Sequence, residues 1–123
     1  MDKPHKKLDV WKLAMDLAAL IYQITEKFPS EERFGLISQM RRAAVSIASN
    51  IAEGAARQGK AEFRNFLSMA QGSLSELDTQ LELSVRLGYL DNEKYDEVSY
   101  MMVRVDKMMT ALIRSLTKPK ISS

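Results

Sequence analysis

At 123 residues the chain has the length of one domain, enough to bury a core without disulfide or metal staples. Its 46% hydrophobic and 28% charged residues are ordinary for a globular protein, and a net charge of +2 is too small by itself to argue for a nucleic-acid binder. The absence of cysteine excludes thiol catalysis and cysteine zinc sites, and a single histidine, His5, in a polar N-terminus expected to fray, removes schemes needing two imidazoles.

The first helix is expected over about 9–27, with Asp9 as an N-cap for the free amide hydrogens of the first turn. Its main stripe is Val10, Leu13, Leu17, Leu20, Ile21 and Ile24. A second stripe, Trp11, Met15, Ala18 and Tyr22, lies about 100° away. One neighbouring core does not require both. Either the second stripe packs on another helix of the same bundle, or it meets another subunit, where tryptophan and tyrosine are favoured. Phe28-Pro29 ends the helix, because proline disfavours helical geometry at the residue before it.

Ser30 offers the next N-cap, with Glu31 and Glu32 where negative charge suits the helix dipole, and a second helix is expected over about 31–57. It has three faces. Leu36, Met40, Ala43, Ile47, Ile51 and Gly54 form a core stripe. Gln39, Arg42, Ser46, Ser49, Glu53 and Arg57 form a polar line, whose plain reading is a solvated face. Ala44, Ala48, Ala52 and Ala55 form a small apolar strip able to accept another backbone closely. Gly54 suits either a close-packing point or an early stop.

The third helix, about 60–87, carries Leu67, Ala70, Leu74, Leu77, Leu81 and Ser84 in alternating threes and fours, the seam of bundle packing. Gly72 within it costs about 1 kcal/mol relative to alanine, which suggests that another backbone comes close. Gly88 suits the left-handed position that ends helices. Asp91 or Asn92 caps a fourth helix, about 92–117, with the seam Val98, Met102, Val105, Met109, Leu112 and Leu116 broadened by Met101, Met108 and Ile113. Methionines at this spacing are core filler or an adaptable partner contact. Lys118-Pro119-Lys120 reads as a frayed tail. Four amphipathic helices, short loops and no strand signal predict an all-α, antiparallel up-down-up-down four-helix bundle in a single domain, 1–123.

No apolar run reaches the roughly 20 residues of a membrane span, and Met1 to Lys7 leads into no signal-peptide hydrophobic region, so the expected compartment is the cytoplasm. Enzyme signatures are absent. Gly54 to Gly59 lacks the lysine and hydroxyl residue of a phosphate loop, no Glu-x-x-His pair exists for a di-iron site, and the serines of the second helix have only Arg42 and Glu53 on their line, where a nucleophile needs a partner base. No catalytic residue, metal or cofactor is expected. Charge is segregated: Arg33 to Arg64 holds six basic residues against two acids, and Glu76 to Glu97 seven acids against two basic residues. This predicts a basic side and an acidic side. Arg41, Arg42, Arg57, Lys60 and Arg64 are the candidates for nucleic acid, because such cations neutralise phosphates and release counterions. The plain alternative pairs Arg42 with Glu53 or with an acid of a neighbouring helix.

The stretches LDVWKLAMDLA, FPSEERFGLISQMRRAAVSIASNIAEG and FLSMAQGSLSELDTQLELSVRLGYL together resemble a bacterial four-helix-bundle family first noticed as open reading frames in intervening sequences of 23S ribosomal RNA genes. The resemblance covers about Leu8 to Leu116. It takes in the accessory variability proteins of diversity-generating retroelements, which work beside a reverse transcriptase. The resemblance implies a ring-like homopentamer with no known enzymatic activity. For the retroelement members it also implies contacts with nucleic acid and reverse transcriptase through basic surface.

Two functional expectations stand together. One is a non-enzymatic oligomer, assembled through Trp11, Met15, Tyr22, Met101 and Met108, that holds RNA or DNA with basic residues of several subunits. The other is a protein-interaction scaffold with no nucleic-acid role.

Overall fold

A computed structural model describes residues 3–117. Four helices, α1 (Asp9–Thr25), α2 (Leu36–Ala55), α3 (Lys60–Arg86) and α4 (Asn92–Thr117), are accompanied by 3-10 turns at Pro4–Lys7 and Ser30–Glu32, before α1 and α2 respectively. No strand occurs among the described residues. The expected tail at Lys118-Pro119-Lys120 lies outside them.

Each helix packs on the next, and α1 closes the cycle against α4. Side-chain contacts give the directions. The Ser46 and Ser73 hydroxyls lie 2.9 Å apart, and the Ser84 hydroxyl donates to Met40 Sδ at 3.5 Å, so α2 and α3 run oppositely. Arg64 reaches the Leu116 carbonyl and the Tyr95 hydroxyl reaches Glu82, so α3 and α4 do too. Arg41 near the start of α2 meets Thr25 at the end of α1. The predicted seams make the core: Leu17, Ile21, Ile47, Ile51, Leu67, Leu77, Leu81 and Val105 are fully buried. Each such side chain contributes roughly 1.5–3 kcal/mol relative to exposure.

Local boundaries depart from the sequence reading for identifiable reasons. Asp9 is the first residue of α1, not its cap. Leu8 holds the cap position and accepts from the Lys12 amide through its backbone, while its side chain packs on the core. The second helix starts at Leu36, five residues beyond the expected start, and Ser30 caps nothing through its side chain. Glu32 supplies the cap instead, its Oε1 accepting the Leu36 amide at 3.2 Å. That geometry uses Gly35, where an added Cβ would lie 2.9 Å from the same carboxylate oxygen. Asp91 caps α4, its Oδ1 accepting the Lys94 amide at 2.7 Å. Gly88 takes φ +79° just past α3, and the Tyr89 amide bonds back to the Ser84 carbonyl.

The two helical glycines separate. Gly54 is a close-packing point inside α2: an added Cβ would sit 2.8 Å from Phe63 Cδ1 and 2.8 Å from Phe66 Cβ. Gly72 does not receive the neighbour expected there, since nothing lies within 4 Å of its Cβ position. Ser73, one residue on, points to α2 and makes the interhelical contact.

Candidate nucleic-acid interface and assembly face

The five basic candidates do not form one patch. The antiparallel fold puts Arg41 and Arg42 toward one end of the bundle and Arg57, Lys60 and Arg64 toward the other, about 20 Å away along the axis. Arg41 Nε donates to Thr25 Oγ1 at 2.9 Å and Nη2 to the Tyr22 carbonyl at 3.3 Å, and its guanidinium lies 4.5 Å from the Tyr22 ring centroid. It braces the last turn of α1, where the dipole favours a cation, joining the Glu26 amide and the Thr25 hydroxyl on the Tyr22 carbonyl. Arg64 plays the same part for α4, Nη1 donating to the Leu116 carbonyl at 2.7 Å.

Arg57 lies over Phe66, 5.0 Å from the ring centroid, and remains exposed, as do Arg42 and Lys60. Arg42 makes no ion pair with Glu53. Among the described residues the one ion pair is Lys94 to Glu97, at 3.0 Å.

The N-terminal segment is not frayed over Pro4–Lys7. It forms a 3-10 turn packed on α2, with the His5 ring edge-on to Trp11 at 4.8 Å. The turn brings Lys6 and Lys7 to the end that holds Arg57 and Lys60, and α4 brings Arg114. Pro4, well suited to the first position of a helical turn, is the signal that marked this segment. The opposite end gathers Glu31, Glu82, Asp91, Glu93, Asp96 and Glu97 together with Lys27, Arg33, Arg41, Arg42, Arg86 and Lys94. The acidic run straddles the α3–α4 turn and so lies at one end, whereas the basic run extends the length of α2 and reaches both ends.

Of the assembly candidates, Met15 and Tyr22 are 47% and 42% exposed, with Val45 of α2 beside them at 43%. Packing within the bundle accounts for Ala18 of that stripe and for part of Trp11, and leaves Met15 and Tyr22 outward. Between α1 and α2, Trp11 and Met15 border a 360 Å³ groove lined also by Ala48, Ser49 and Ala52. Ala44 and Ala48 of the small strip are buried. Met101 and Met108 are half-buried against the core and follow Lys94 at intervals of seven on the side of α4 where it meets α1. They fill that seam rather than join the α1–α2 face. Sequence reasoning missed Phe34, which stands 90% exposed beside Gly35.

Among the described residues there is no cluster of three or more histidine or carboxylate side chains placed to hold a metal ion, and no helix long and apolar enough to cross a membrane. A family model described as 23S rRNA-intervening sequence protein matches residues 6–111. This chain belongs to that family. Among solved structures, the chain is similar to a Bacteroides thetaiotaomicron protein of unknown function from the S23 ribosomal protein family. The TM-score is 0.79 at 26% identity, covering 85% of this chain and 95% of that one. No curated protein matches it.

Proposed function

We propose that this protein is a non-enzymatic, self-assembling bundle whose basic end holds RNA or DNA by its phosphates, acting in the cytoplasm as an accessory factor, as beside a reverse transcriptase. The observation that carries this reading is the placement of Lys6, Lys7, Arg57, Lys60 and Arg114 toward one end, where they outnumber Asp9, Glu53 and Glu62, with Arg57 and Lys60 exposed and, among the described residues, outside any ion pair. In the five-membered ring that the family resemblance implies, cyclic symmetry points every subunit the same way. Basic ends then repeat on one rim, and a weak patch becomes a strong field by multiplicity. Phosphate contact without base stacking makes the binding sequence-tolerant and salt-sensitive.

The test is anisotropy of labelled mixed-sequence RNA and duplex DNA over a salt series. The double substitution Arg57→Glu and Lys60→Glu is expected to lower affinity at least about tenfold at low salt and to flatten the salt slope by about one for each phosphate no longer neutralised. Arg42→Glu, at the other end, should change neither. No binding at low salt by assembled protein would discard this reading in favour of a protein-interaction scaffold, which the exposed Met15, Tyr22 and Val45 favour.

A further inference from the structure

A second surface, on another face and of opposite charge, owes nothing to that reading. Along the outside of α3 and α4 runs an open groove of 660 Å³. Leu74 and Met102, 6% and 5% exposed, form its floor, and Val103, 48% exposed, its apolar rim. A smaller hollow of 230 Å³ shares Tyr95 with it and carries the surface on to Val85 and Arg86. Between Gln71 and Arg86, α3 rises about 22 Å, the length of about four helical turns.

The walls carry three acids against two cations. Asp78 and Asp106 line the groove and Glu82 lines its continuation. None lies within ion-pair distance of a lysine or arginine among the described residues, although Lys107 and Arg86 stand toward its two ends. The Gln71 amide is a distant partner for Asp106, at 3.4 Å. Tyr95 registers the field: burial first, then the charges of Asp78 and Glu82, push its hydroxyl above the ordinary tyrosine value.

We propose that this groove receives a basic amphipathic helix of a protein partner, its apolar side on Leu74, Met102 and Val103 and its cations on Asp78, Glu82 and Asp106. A helix fits because the trough between two antiparallel helices admits a third along their length, and a methionine floor adapts to varied side chains. The acid walls set partner choice and encounter rate.

The probe is a fluorescein-labelled 15-residue peptide of leucine and lysine in amphipathic helical order, titrated by anisotropy against the full chain. Asp78→Asn with Asp106→Asn is expected to raise Kd about five- to tenfold, with helicity by circular dichroism unchanged. Glu93→Gln with Asp96→Asn removes the same charge outside the groove and should leave Kd within about twofold. A peptide with glutamate for lysine should not bind. Equal losses in the two double variants, or no binding of the lysine peptide, would overturn the proposal. So would a lower light-scattering mass for the Asp78→Asn, Asp106→Asn protein without peptide, which would mean that a second copy fills the groove.

Discussion

Arg41 and Arg42 are separated by about 100° on α2, and that angle decides what each can do. Arg41 leans on α1, where its planar fork serves one hydroxyl and one terminal carbonyl while its face rests on Tyr22. Arg42 points to solvent. Replacing Arg41 by alanine removes two charge-assisted hydrogen bonds and the cation at the end of α1, so about 1–2 kcal/mol of unfolding free energy should be lost in urea denaturation. Arg42→Ala should fall within about 0.5 kcal/mol of the parent protein. Arg41→Lys should recover little, since an ammonium cannot span both acceptors in the same way. Equal costs at the two positions would contradict the bracing role.

Among the elements, the glycines of α2 and α3 make a matched pair with opposite expected signs. Gly54→Ala drives a methyl group into Phe63 and Phe66, both held by the start of α3, and overpacking of this kind costs about 1–3 kcal/mol. Gly72→Ala meets open space at its Cβ position and should stabilise by about 0.5–1 kcal/mol. Thermal unfolding of both variants checks the pair, and a stabilising Gly54→Ala would mean that the two helices are free to move apart. The same contrast marks what was legible in the sequence. The seams of α1 to α4 could be read because alternating threes and fours are a property of each helix alone. Gly54 could be flagged without being resolved, since only Phe63 and Phe66 across the turn decide its role. The start of α2 was misplaced because its cap is Glu32, reaching past Gly35, whereas Ser30 has the residue type that usually caps. Arg41 looked like a phosphate ligand because its partners lie 16 and 19 residues back along the chain, a separation that periodicity does not report.

For the whole molecule, the arrangement of charge and apolar surface bears on assembly. Folding puts the acidic run at one end, spreads the basic run along α2 to both ends, and leaves Met15, Tyr22 and Val45 as an apolar strip on the side of the bundle. A closed ring needs such a lateral contact, and cyclic closure then stacks like ends on one rim. Because Met15 is 47% exposed in the single chain, Met15→Glu should leave the bundle folded while placing a charge where a subunit contact would have to desolvate it. The expected result is a light-scattering mass that falls to that of the 14.0 kDa chain, with unchanged helicity. Val45→Glu on α2 should do the same, and the control Met101→Leu, which keeps an apolar side chain in the α1–α4 seam, should not. Since multiplicity converts a modest basic end into a strong field, the dissociated Met15→Glu protein should also lose RNA affinity with Arg57 and Lys60 intact. An assembly that keeps its mass with glutamate at both 15 and 45 would move the subunit contact away from the α1–α2 face, leaving the exposed Phe34, Leu83 and Leu87 as the apolar surface to substitute next.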